Sequence, residues 1–109
     1  MSADSPLGTF EEHVMLAVVR TRDDAYGMAV RREIERVTDR EVTIGAVYAT
    51  LDRLEAKGLL GSGRTTGEGS RRVFAVTTRG ASALAETRAM RERLWQGVDL
   101  SRLLAGASS

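Results

Sequence analysis

The stretch TIGAVYATLDRLEAKGLLGSGR, residues 43–64, decides how the rest of the chain is read. Thr43 carries the hydroxyl of a helix N-cap, and Gly58 suits the left-handed residue that follows a helix end. Between them Ile44, Val47, Leu51 and Leu54 recur at helical spacing and form one apolar stripe. At about 100° per residue the opposite side carries Gly45, Ala49, Asp52 and Arg53, with Ala46 and Tyr48 on its flanks. A helix that serves only packing would carry Leu, Glu and Lys there. Small residues and one long cation suit a face that lies close against another molecule.

Past Gly58 the period changes from helix to strand. Residues 59–65 and 71–77 are compatible with two strands, and TGEGS between them is turn chemistry. Within RRVFAVT, Phe74 and Val76 share one face, Val73 and Ala75 the other. A lone hairpin is unstable, so this one must lean on helices. Thr77 or Thr78 caps a last helix over about 79–96, and LAGASS, residues 104–109, reads as a disordered tail.

Upstream, residues 1–8 read as a frayed start. Thr9 opens a capping box, TFEE, in which the Thr9 hydroxyl and the Glu12 carboxylate each satisfy a free amide. VMLAVV, residues 14–19, is apolar on nearly every side, as in a helix buried from several directions. RTRDD ends it, and Asp23 or Asp24 caps a second helix over about 25–37. That helix has a stripe of Tyr26, Met28 or Ala29, Val30, Ile34 and Val37, and TDREV is the polar turn before Thr43.

The bulk properties narrow the function. A chain of 109 residues with 28% charged and 42% hydrophobic residues is one small globular domain. No apolar run reaches the roughly 18 residues that cross a bilayer. MSADSPLGTF lacks the layout of a signal peptide, so a cytoplasmic, non-membrane protein is expected. Catalysis and metal binding find little to work with: there is no cysteine, and the one histidine, His13, follows Glu11 and Glu12 at adjacent positions that diverge on a helix. The glycines of TTGEGSRR do not follow a strand and open a helix, so they are no phosphate loop. Neither an enzyme, a cofactor nor a metal is expected. The net charge is only +1, yet residues 43–80 hold six cations against three acids. The positive half contains the opening stretch.

Three helices, a basic hairpin and a further helix make a mainly α architecture with a small β-hairpin, the layout of a winged helix-turn-helix. Residues 1–78 form the DNA-binding domain, and residues 79–109 a C-terminal dimerisation helix with its tail. The third helix is the one that enters the major groove. Gly45, Ala46 and Ala49 let its backbone approach, while Thr43, Tyr48, Thr50 and Arg53 supply polar contacts. Arg64, Arg71 and Arg72 reach the flanking backbone. Each has a plainer reading. Tyr48 can pack on the hairpin, Arg53 can pair with Asp52 or Glu55, and Thr43 can act as a cap alone. Arg71 and Arg72 point to opposite faces of a strand, so one of them is the primary contact.

DDAYGMAVRREIE (23–35), VTIGAVYATLDRLEAKGLL (42–60) and SRRVFAVTTRG (70–80) together resemble the PadR family of bacterial transcriptional regulators, over about residues 7–85. A single piece such as RLEAKGL occurs in several winged-helix families; the set is what is specific. The resemblance implies a homodimer on an inverted-repeat operator, usually repressing transcription. It maps the recognition-helix positions onto Thr43, Tyr48, Thr50 and Arg53, and the basic wing onto Arg64, Arg71 and Arg72. It also implies the short-tailed branch, with one C-terminal helix and no separate effector domain.

The last helix carries Leu84, Thr87, Met90 or Arg91, Leu94, Trp95 and Val98, too apolar a stripe to rest in water beside so small a core. A twofold partner would cover it, as the family's dimer interface does. Trp95 is then an interface anchor or a platform for a flat effector, since some short family members bind planar hydrophobic compounds between subunits. Phe10, Val14, Met90 and Leu94 would line such a pocket, and His13 either packs or senses ligand or pH. The expected function is a dimeric repressor released by a small hydrophobic or aromatic effector. The alternative is a winged-helix protein-interaction module without DNA binding, which the near-neutral net charge favours and the clustered cations oppose.

Overall fold

The structure, a computed structural model, describes residues 6–67 and 69–107. Helix α1 spans Thr9–Thr21, α2 Gly27–Thr38 and α3 Ile44–Ala56; strands β1 (Leu60–Arg64) and β2 (Arg72–Val76) follow, then α4 (Thr78–Trp95) and α5 (Ser101–Ala107). The strands pair antiparallel with Leu60 opposite Val76, Ser62 opposite Phe74 and Arg64 opposite Arg72. Each strand is one residue shorter at both ends than the sequence pattern indicates. The arrangement is the mainly helical winged helix-turn-helix expected. No helix among the described residues is long and apolar enough to cross a membrane.

The core lies where α1, α2, α3 and the hairpin meet. Met15, Leu51, Leu54 and Leu60 are its largest fully enclosed side chains. Burying each contributes about 1.5–3 kcal/mol. The dense apolar run of α1 is buried on one side only, because Leu16 and Val19 face outward.

Four starts and stops differ from expectation. Gly8, not Thr9, caps α1, and its N–H donates to the Glu11 carboxylate at 3.0 Å. Burial of Val14, Met15 and Val18 sets the helix rotation, and it turns Glu12 inward to Arg91 instead. Leu7 is no frayed residue: it is buried, and its N–H donates to the Thr87 hydroxyl at 3.1 Å. The expected Asp23 or Asp24 cap on α2 is unused. Residues 22–24 form a 3₁₀ turn, and α2 begins after Tyr26. The Phe74 N–H donates to the Ala25 carbonyl at 2.9 Å, which holds the entry to α2 against β2. LAGASS, expected to be a disordered tail, is helical where it is described, through Ala107, with Asp99 accepting from the Ser101 N–H and hydroxyl at 2.9 and 2.7 Å. Ser108, Ser109, residues 1–5 and Glu68 of the TGEGS turn lie outside the described residues.

The helix-turn-helix angle is set by α2 side chains. Arg31 Nε donates to the Val42 carbonyl at 2.9 Å, and Glu35 accepts from the Val42 N–H at 2.9 Å. Both backbone groups of the residue before Thr43 are thereby held. Thr43 caps α3 as expected, accepting from the Ala46 N–H at 3.1 Å. At the far end Gly58 has φ +78°, and the Leu59 N–H reaches back to the Leu54 carbonyl at 3.0 Å. This closes α3 and launches β1. Thr77 caps α4 through the Gly80 N–H at 3.0 Å. Gly80 crosses the chain so closely that a Cβ there would sit 2.1 Å from the Leu59 carbonyl oxygen.

Candidate nucleic-acid interface

The outer face of α3 is open. Ala46 and Ala49 are exposed, and a Cβ added at Gly45 would meet nothing within 4 Å. Tyr48 stands beside this face and packs on the start of α2. Its ring covers Gly27, where an added Cβ would lie 2.3 Å from Tyr48 Cζ. Thr43 is exposed as well as capping. Thr50 is a correction. It is 3% exposed, and its hydroxyl accepts from Arg53 Nη2 at 3.4 Å. Standing three residues after Val47 and four before Leu54, it falls on the buried flank of the apolar stripe. It cannot reach a partner outside the protein.

The cations of the face divide by what they already touch. Arg53 pairs with neither Asp52 nor Glu55. Its Nε lies 3.4 Å from Glu11, and Lys57 Nζ lies 2.9 Å from the same carboxylate oxygen. Partial burial works to raise the Glu11 pKa, but the hydrogen bonds from Lys57, Gly8 and Arg53 together with the Lys57 charge outweigh it, and the net shift is downward. Half-exposed pairs of this kind are worth about 0–1 kcal/mol, so a phosphate can displace Glu11 from either cation.

Arg72 does something else. Its guanidinium bonds Asp52 at 2.9 Å, Glu55, and the Ser62 hydroxyl at 3.2 Å, and it lies 4.7 Å from the Phe74 ring centre. The Asp52 hydrogen bond leads in raising its pKa, and the Ser62 hydroxyl leads in lowering that of Glu55. Arg72 is a strut from the wing to α3, and a DNA backbone contact by it has to compete with Asp52 and Glu55.

Arg71 faces the other way, with its guanidinium carbon 4.1 Å from the Tyr26 ring centre. Arg64 is exposed and has no carboxylate partner among the described residues. Arg32, on α2, donates to the Tyr26 hydroxyl at 2.6 Å. Tyr26 and Arg32 were missing from the residues marked out by sequence. Tyr26 fits a helical core stripe by spacing, which hides that it precedes the helix it was counted in.

The residues expected to line an effector pocket do not form one in the single chain. Val14 is wholly enclosed in the core and lines nothing, because it shares the inward face of α1 with Met15 and Val18. Phe10 packs at the edge of that core. His13 borders a cleft of about 220 Å³ between α1 and α2, with Leu16, Val19, Ile34 and Val37. Leu94 and Trp95 are 70% and 58% exposed and border a separate shallow recess with Val98 and Leu100. Met90 is part-exposed on α4 and borders neither. Among the described residues no group of acids and histidine could hold a metal ion.

Known proteins bear on this arrangement. A PadR-family transcriptional regulator from Eggerthella lenta superposes with a TM-score of 0.65 at 29% identity, over 84% of this chain and 80% of that one. A PadR-like transcription factor from Bacteroides fragilis gives a TM-score of 0.70 at 24% identity, over 82% and 85%. RosR of H. salinarum gives 0.67 at 24% identity, over 93% and 88%. These last two likenesses are of fold. No curated protein matches the chain significantly in sequence. The family described as the transcriptional regulator PadR-like family matches residues 15–86, which include α2, α3 and both wing strands. The chain belongs to the PadR-like family of transcriptional regulators.

Proposed function

We propose that this regulator works as a homodimer on an inverted-repeat operator, where it represses transcription until a small hydrophobic or aromatic effector releases it. The observation that carries DNA binding is the open face of α3, with Gly45, Ala46 and Ala49 uncovered between Tyr48 and the exposed cations Arg53, Arg64 and Arg71. Small residues let the helix backbone sink toward base edges, and flanking arginines meet phosphate. The dimer reading rests on the end of α4, where Leu94 and Trp95 are left in water. In this reading residues 1–78 read DNA and residues 79–109 join the subunits, presenting two copies of α3 about 34 Å apart, one turn of duplex.

A binding series at rising salt tests the reading. About three to five neutralised phosphates per protomer give a log–log slope near −5 to −9 for the dimer. A flat response, or a monomer at micromolar concentration by light scattering, would overturn it. An effector seated between subunits must favour the geometry that does not fit DNA by a few kcal/mol to shift the population. Titrating planar aromatics against Trp95 fluorescence tests that half; no change with any of them leaves Trp95 a packing residue.

A further inference from the structure

We infer that Tyr26, Arg32 and Arg71 form a clamp for one backbone phosphate of duplex DNA, joining the entry to α2 and the wing at the edge of the open face of α3. The inference rests on the DNA-binding reading and adds a site to it.

Two guanidinium groups gather around one ring. Arg71 lies 4.1 Å and Arg32 5.7 Å from the Tyr26 centroid. Both arginines are exposed, and among the described residues neither has a carboxylate partner. Arg53 and Lys57 by contrast share the Glu11 carboxylate, and Arg72 pairs with both Asp52 and Glu55. Two like charges collected without an acid repel each other, and an anion beside them turns that repulsion into attraction.

The donors suit a phosphate. Stacking on a ring leaves all the N–H groups of Arg71 free in its plane. Arg32 spends one donor on the Tyr26 hydroxyl, at 2.6 Å. Because that hydroxyl accepts from Arg32, its own proton is free to be donated outward. The three groups thus offer charge-assisted and neutral donors to the oxygens of a single anion.

The site is also held in place. Thr65 fixes the backbone of Arg71 from both sides: the Arg71 N–H donates to the Thr65 hydroxyl at 2.8 Å, and the Thr65 N–H donates to the Arg71 carbonyl at 2.9 Å. Three residues along, the Phe74 N–H binds the carbonyl of Ala25, the neighbour of Tyr26. Wing and α2 entry are therefore tied, so Tyr26 and Arg71 are placed by the same hydrogen bond. Gly27 follows Tyr26 and lies under the ring of Tyr48, which makes the cluster continuous with the open face of α3.

A phosphate contact adds affinity without reading sequence. The test measures binding of the full-length protein to a promoter duplex and to a random duplex across a salt series, for wild type, Arg32→Gln, Arg71→Gln and Tyr26→Phe. Each arginine variant should lose about ten-fold on both duplexes alike and lower the salt slope by about one unit per protomer. Tyr26→Phe keeps the ring and the charges; it should lose affinity on both duplexes with the slope unchanged. Thermal unfolding separates loss of contact from loss of fold, and Tyr26→Phe with Arg71→Gln decides the matter should Arg32→Gln unfold. Normal affinity and slope in all three variants would overturn the clamp while leaving DNA binding intact. A larger loss on the promoter duplex than on the random one would overturn it in favour of base reading. A wild-type protein that binds neither duplex would overturn the functional reading itself, and the clamp with it.

Discussion

Residues 7–87 and residues 91–107 share one chain but not one kind of stability. The first region closes on itself: the Leu7 N–H at its start donates to the Thr87 hydroxyl at its end, and the buried apolar side chains, Leu7 among them, all fall within it. In the second, every described residue whose exposure is known stands in the exposed class, including Leu94, Trp95, Leu103 and Leu104. A region that hides its apolar groups holds its shape alone. One that displays them along a helix holds it best against a second surface. The contrast separates what the fold needs from what the assembly needs, and substitutions can probe each side.

The largest effect belongs to the body. Gly80→Ala places a Cβ against the Leu59 carbonyl, and backbone cannot step aside as a side chain does. We expect a loss of about 3 kcal/mol or more in denaturant unfolding, with the proposed dimer lost as a consequence. Changing Leu94 and Trp95 together to Asp should do the reverse. The body should unfold at the same denaturant concentration, while the dissociation constant of the proposed dimer rises by about 30-fold or more in sedimentation, as for loss of an interface anchor. Unchanged association would place the dimer contact elsewhere.

Smaller changes act on the groove face. Gly27→Ala forces the Tyr48 ring off α2 and should weaken duplex binding about ten-fold, with about 1 kcal/mol lost in stability. Equal affinity would show that the Tyr48 position is immaterial to binding. Glu11→Gln frees Arg53 and Lys57 from their shared carboxylate; affinity for random duplex should rise about two- to five-fold, the scale of a surface pair. A fall would show that Glu11 positions these cations and does not compete for them.

The smallest effect is in pH. Glu33 receives Arg36 and then Arg20, which hold its pKa at about 2 against an ordinary 4.5. A depressed carboxylate contributes stability that is present above the unfolded value and is lost as pH falls through the folded one. The Arg20–Glu33 link between α1 and α2 should therefore persist from neutral pH to near pH 3. A carboxyl titration of Glu33 by NMR with a midpoint at the ordinary value would show the link absent in solution.

What was legible from sequence follows the range of the forces involved. Thr43 and Thr77 act within one helical turn, and both caps stand where their hydroxyls indicate. The alternation in RRVFAVT likewise buries Phe74. Thr50 and Val14 illustrate the limit. Angular spacing names a stripe but not how far burial extends around it, so a threonine on the flank of α3 reads as surface. Contacts between distant residues left no local mark at all. The Ala25–Phe74 hydrogen bond delays α2, the Leu7–Thr87 bond secures the N-terminal arm, and Asp52 draws Arg72 inward. A short helix after Asp99 escaped because its leucines have no partner within the chain to explain them.

Glu11 and Glu12 are neighbours in the first turn of α1, and they hold different elements. One holds Arg53 and Lys57 at the C-terminal end of α3; the other holds Arg91 on α4. One short turn of backbone thus anchors two separate elements by charge alone, the end of α3 through Glu11 and α4 through Glu12.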